Sequence, residues 1–146
     1  MQDYTLQVTV RALIVKNKQL LLVSNDNNLW YTPGGHIKPN ETLLACVIRE
    51  VKEETGITIK PKKLVFVLDF FDQTYNVHKI ELYCSAYMQG DAIPSNWSDQ
   101  DGPVRFVRFF NIETLGAMHH NVVPALLKKG EWLNPDFAIY QGTEER

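Results

Sequence analysis

Cysteine is scarce: Cys46 and Cys84 are the only two in 146 residues. That is too few for a disulfide framework, and their separation matches no metal-ligand spacing, so both read as small buried hydrophobes. A basic surplus is missing too, with 15 Lys and Arg against 17 Asp and Glu and a formal net charge of −2. No broad positive field exists to hold a long nucleic acid by its phosphates, and the basic stripe that an RNA body needs is absent. A short anionic ligand stays open, because a bound metal ion supplies local charge that formal counting omits. No apolar run approaches the roughly 18 residues of a membrane-spanning helix. Residues 1–7 show neither the basic start nor the apolar segment of a signal peptide. The expectation is a cytoplasmic protein without a membrane partner.

What is present describes one domain over residues 1–146, with 45% hydrophobic and 22% charged residues and no repeat, linker or low-complexity tract. Residues 5–16 (TLQVTVRALIVK) alternate as a strand, Asn17-Lys18 make a hairpin turn, and residues 19–24 (QLLLVS) form a second strand. Leu29-Trp30-Tyr31 is a short strand leading into Thr32-Pro33-Gly34-Gly35, where glycine permits close backbone approach. Pro39 and Asn40 signal a helix start with Asn40 as the cap, and Gly56 signals its stop. Leu44, Val47, Ile48 and Val51 form its apolar sector. Strands follow at residues 64–72, 77–88 and 104–110, with a turn at 73–76 and a polar loop at 91–102. Asn111 caps a short helix at 111–115, and a second helix runs from His120 to Lys129, ended by Gly130. The tail with Trp132 and Phe137 packs on the domain or docks to a second subunit, which leaves a homodimer open. This order fits an α/β (α+β) domain, a mixed sheet sandwiched between helices.

Within the first helix lie Glu50, Glu53 and Glu54. At roughly 100° per residue, Glu53 falls about 60° from Glu50 on one flank and Glu54 about 40° on the other. Like charges at these spacings repel by roughly 0.2–0.5 kcal/mol per pair. A divalent cation reverses that repulsion, since hard ions such as Mg²⁺ take oxygen ligands.

The full pattern is Gly35, five residues, Glu41, seven residues, then Arg49-Glu50-Val51-Lys52-Glu53-Glu54-Thr55-Gly56-Ile57. It resembles the signature of the Nudix hydrolase superfamily at every defined position. Seven fixed identities at usages of roughly 5–7% each give chance odds on the order of 10⁻⁹ per starting position, which excludes coincidence. The strand and helix order around it resembles the family over nearly the whole chain; Asn40 stands where many members have glycine. The resemblance implies a Nudix-like fold and Mg²⁺- or Mn²⁺-dependent hydrolysis of a diphosphate linkage in a nucleoside diphosphate derivative or nucleoside triphosphate. It assigns Glu50, Glu53 and Glu54, with a carbonyl of Gly34 or Gly35, to the metal. Arg49 becomes the residue that orients a glutamate, and Glu41 an outer acid. The water's proton goes to Glu50, Glu54 or a loop acid, Asp99 or Asp101, whose plainer reading is a solvated loop.

Beyond the motif, Phe70, Phe71, Tyr75 and Trp97 are candidates to stack on a base, against core packing as the plainer role for the two phenylalanines. Tyr75 resembles a weak marker of dinucleoside polyphosphate hydrolases; a proline marker associated with ADP-ribose is missing between Pro61 and Pro94. His36, just after the glycines, either touches a phosphate or is simply exposed. His78, His119 and His120 have no ligand spacing and read as surface or helix-start residues. The partner expected is a small nucleotide. Alternatives are a dinucleoside polyphosphate hydrolase and a non-catalytic nucleotide-sensing module, the latter disfavoured by the intact acids.

Overall fold

Alternating β-branched residues build β1 (Thr5–Lys16), which turns at Asn17-Lys18 into β2 (Gln19–Ser24). Both turn residues have positive φ, 52° and 62°, the geometry whose twist matches that of flanking strands. The structure is a computed structural model describing residues 3–116, 118, 122–134 and 136–145. The expected helix start at His120, and His119, lie outside these residues. β3 (Trp30–Tyr31) pairs with β2, and β4 (Gly34–His36) pairs antiparallel with the first half of β1. After helix α1 (Leu43–Thr55), β5 (Ile59–Asp72) and β6 (Val77–Met88) form an antiparallel hairpin. β6 lies parallel to β1 from Thr5↔Val77 to Ile14↔Ala86. β7 (Phe106–Asn111) pairs with β2, and a 3₁₀ turn capped by Asn111 follows. Then come α2 (Val122–Lys129), a second 3₁₀ turn, and β8 (Tyr140–Glu145), which lies parallel to β5.

The sheet runs β3-β2-β1-β6-β5-β8, with β4 also on β1 and β7 also on β2. One face carries Val10, Ala12, Ile14 and Cys84 against Cys46, Val47 and Val51 of α1. The other carries Leu13, Phe66, Leu68 and Tyr83 against Val123, Leu126 and Leu127 of α2. A mixed sheet between helices is therefore the architecture, and both cysteines are buried as small hydrophobes. Phe66 stacks on Tyr83 at 4.5 Å; truncating such a buried aromatic to alanine costs about 3–5 kcal/mol.

Several local expectations are corrected. Helix α1 is rolled relative to the predicted apolar sector: Leu44 and Ile48 are exposed, while Cys46, Val47, Val51, Glu54 and Thr55 are buried. The roll becomes affordable for a carboxylate because the buried Glu54 finds a backbone donor. Asn40 is not the cap. It takes left-handed φ (66°) in the preceding turn, whereas Thr42, in the extended region a cap requires, accepts from Ala45 N–H. β5 starts at Ile59 rather than 64, and Pro61 is accommodated at a register shift in the β5–β6 ladder. β7 starts at Phe106 rather than 104. The tail packs: Trp132 and Phe137 lie against the α2-side core, and β8, too polar to read as a strand, adds to the sheet.

Candidate active site

Glycine brings the motif helix against the sheet edge. A Cβ on Gly35 would meet the Glu50 carboxyl at 2.4–2.6 Å, so Glu50 occupies the space that any side chain there would fill. A Cβ on Gly34 would stand 1.9 Å from the Val10 carbonyl oxygen. The Gly34 N–H instead donates to Glu54 Oε1 at 2.7 Å. Burial of Glu54 at the end of α1 pushes its carboxyl up to about 8, even though the Gly34 N–H and the Arg11 charge favour the anion.

Arg49 ties the acids together. Its Nε donates to Glu41 Oε2 at 2.7 Å and its Nη2 to Glu41 Oε1 at 3.0 Å. Its Nη1 donates to Glu50 Oε1 at 2.8 Å and reaches Glu53 Oε2 at 3.2 Å. This two-pronged bond holds the Glu41 carboxyl down to about 2. Glu41 therefore acts on Arg49 and lies outside the cavity lining. The guanidinium in turn holds Glu50 and Glu53.

Glu50, Glu53 and Glu54 line one cavity of about 910 Å³ with Gly34, Gly35 and His36. Its far wall is the polar loop, with Trp97, Asp99 and Asp101. Its floor is the sheet, with Thr9, Arg11, Tyr31 and Lys79. Asp99 is buried and accepts from Val104 N–H at 3.3 Å, so its plainer reading as a solvated acid fails, while Asp101 is exposed at the mouth. Trp97 packs its ring over Gly56, and its Nε1–H donates to the Glu53 carbonyl at 2.9 Å.

Two nominated substrate residues are not brought here. Tyr75 is 75% exposed on the β5–β6 turn, and neither it nor Phe71 lines this cavity. Phe71 stacks on His78 at 4.1 Å and meets the edge of Tyr4 at 5.2 Å. Phe70 is buried in the sheet, and His78, far from a plain surface residue, stands 2.6 Å from Asp69. Alternation explains the split, since consecutive residues of a strand point to opposite faces.

Sequence reasoning missed the floor. Arg11 is buried, donates to the Thr32 carbonyl at 3.2 Å and lies 3.6 Å from Glu81, which accepts from the Tyr83 hydroxyl at 3.0 Å. A signal existed: Arg11 and Glu81 are charged residues inside apolar strand runs, which suits a buried pair more than a solvated face. Burial first, then the Glu54 charge, pushes Tyr31 up to about 12.

Among the described residues, no three carboxylate, imidazole or thiol groups already converge at ligand distances. The donor set nevertheless suits a hard divalent ion. All three acids offer oxygen, glycine leaves room for Glu50 against the backbone, and Glu54 is a desolvated carboxylate beside like charge.

Comparison with known proteins places this geometry. The NUDIX domain model matches residues 5–133. The chain is 28% identical over 131 residues to an ADP-ribose pyrophosphatase of Methanocaldococcus jannaschii, covering 87% of this chain and 75% of that one. A putative ADP-ribose pyrophosphatase of Bacillus subtilis, YjhB, is 33% identical over 87 residues, 56% of this chain and 42% of its own length. The crystal structure of a MutT protein from Bacillus halodurans superposes with a TM-score of 0.71 at 25% identity, over 95% of this chain and 89% of that one. The family uses divalent cations. With the match spanning most of its length, the chain belongs to the Nudix family, as a hydrolase of phosphorus-containing acid anhydrides.

Proposed function

We infer that this protein hydrolyses the diphosphate linkage of a nucleoside diphosphate derivative in a Mg²⁺-dependent reaction, with Mn²⁺ as a substitute. The observation that carries this reading is the meeting of Glu50, Glu53 and Glu54 with Gly34 and Gly35 in a cavity of about 910 Å³. Small-molecule sites run to roughly 300–1,000 Å³, so a ligand of dinucleotide or nucleotide-sugar size can enter. The name of the M. jannaschii relative makes ADP-ribose the first substrate to try.

Glu50, Glu53, Glu54 and a carbonyl of Gly34 or Gly35 would hold the ion. When bound, it neutralises the non-bridging phosphate oxygens, lowers the pKa of water and helps the leaving phosphate depart. Arg49 holds the carboxylates of Glu50 and Glu53 in place through its Nη1. Of the candidate bases, Glu50 is paired to Arg49 and Asp99 accepts from its own loop. Glu54 gives one oxygen to Gly34 N–H; among the described residues its Oε2 accepts no hydrogen bond and, in the ionised form that a bound cation would favour, is the atom to take the proton from the attacking water. Loss of that proton leaves hydroxide to add at phosphorus as the P–O bond to the bridging oxygen breaks. The products are a nucleoside monophosphate and the phosphorylated second moiety. Trp97, from the far wall, offers a ring face to a base.

The experiment is a nucleotide panel with and without Mg²⁺, read as release of monophosphate or pyrophosphate. Metal-dependent cleavage of ADP-ribose or a nucleotide sugar supports the reading. Binding throughout the panel with no metal-dependent release would favour a nucleotide sensor instead. Placement of Tyr75 away from the cavity removes the feature that favoured dinucleoside polyphosphates.

A further inference from the structure

The cavity is bipolar. Opposite the acids of α1, the sheet floor presents Thr9 and Arg11 of β1, His36 of β4 and Lys79 of β6. Register puts them on one face, with Thr9 opposite His36 across β1–β4 and Gln7 opposite Lys79 across β1–β6. β4 and β6 lie on opposite sides of β1, each about 4.8 Å from it, so Thr9 stands between His36 and the strand that carries Lys79. The cations differ in their commitments. Arg11 is engaged by Glu81, by the Thr32 carbonyl and by the Tyr31 ring at 5.8 Å. Among the described residues, the half-buried Lys79 ammonium makes no ion pair or hydrogen bond. The carboxylates that act on it from a distance are Glu81, already held by Arg11 and Tyr83, and Asp72.

We propose that Lys79, flanked by the Thr9 hydroxyl and the His36 ring, is a phosphate-binding cation on the sheet side of the cavity, holding a phosphate group of the substrate away from the metal-binding acids. A half-desolvated ammonium in a site lined with acids lacks a partner that the ligand would provide. Local charge agrees with this placement. Burial and then Arg11 lower the Lys79 pKa. The Thr9 hydroxyl lies 3.2 Å from His36 Nδ1. The proposal names a substrate contact within the reaction inferred above and rests on that reading for its catalytic test alone.

The phosphate could come from the internal diphosphate of a nucleotide derivative or from the terminal phosphate of a nucleoside triphosphate. Steady-state kinetics on both substrates distinguish them. K79M and K79Q should raise KM on the order of tenfold, with a much smaller effect on kcat, and K79R should restore most of the loss. An increase for both substrates assigns the internal diphosphate, and an increase for the triphosphate alone assigns its terminal phosphate. An unchanged KM for both in a folded K79M or K79Q overturns the proposal. Calorimetric titration with inorganic pyrophosphate in chelator separates this site from the catalytic reading. Wild-type binding that K79Q loses supports the site even if no substrate is cleaved; equal binding by both proteins refutes it even if the wild type is active.

Discussion

The indole N–H of Trp97 donates to the backbone carbonyl of Glu53 at 2.9 Å, binding the polar loop to the helix that carries the acids. The same ring covers Gly56, where a Cβ would come within 2.7 Å, and Lys52 lies 5.4 Å from its centre. Trp97 thus docks the wall with Asp99 and Asp101 on the last turn of the motif helix.

Replacing Trp97 with alanine should free that wall. The expected result is a KM increase on the order of tenfold, the scale of one lost stacking contact. W97F keeps an aromatic face but loses the N–H and part of the stacking area, so its KM should fall between the two. Kinetics of the three proteins on one substrate check this, and equal KM values would show that the ring takes no part in the site.

The two glycines should fail differently. An added Cβ at Gly34 meets the Val10 backbone, which cannot swing aside. G34A should destabilise the fold by about 2–4 kcal/mol in denaturant melts, as strained core substitutions do. At Gly35 the obstacle is the Glu50 carboxyl, the far end of a flexible side chain. G35A should keep most of its stability and lose on the order of 10²-fold in kcat, the scale for a displaced electrostatic contact.

Glu54 links stability to pH. In the folded chain burial pushes its carboxyl up to about 8, against 4.5 for an ordinary glutamate. Between those values the folded state binds more protons than the unfolded state, so stability falls with rising pH. In chelator, the Glu54 contribution is full below about 4.5 and is lost as pH rises through about 8. Wild-type Tm relative to E54Q should decline over that window, and adding Mg²⁺ at pH 8 should restore it. A constant difference across the window would count against the buried acid.

Glu41 works in the opposite sense. Arg49 holds its carboxyl down to about 2, so its contribution is present above 4.5 and lost as pH falls through about 2. E41Q should lose part of the wild type's acid resistance between those values and match it more closely under strong salt, since the pair is solvent-screened. Circular dichroism during acid titration reads this directly.

Much of the molecule was legible in the chain. Periodicity and turn residues located β1, β2, β6 and the Gly56 end of α1, because strand alternation and a left-handed glycine stop are local properties. The motif acids and the glycines before them were legible for the same reason: they lie within 23 residues (35 to 57). The roll of α1 was not legible, since it depends on Gly34 offering an N–H to Glu54 from another strand. Lys79 and Arg11 were missed because only the β1–β6 register brings them beneath the acids. β8 escaped because YQGTEE owes its strand to pairing with β5 and not to its own apolar pattern. Tyr75 drew attention by its distance from the motif, and a turn position then sent it into solvent.

Binding of Mn²⁺ in the presence of a non-hydrolysable nucleotide, followed by the loss of free-ion electron paramagnetic resonance signal, tests the metal site most directly. Wild type should take up the ion, and E53Q and E54Q should each bind on the order of tenfold or more weakly while unfolding as cooperatively as the parent. Equal uptake by all three proteins would place the ion elsewhere and contradict the assignment of these glutamates.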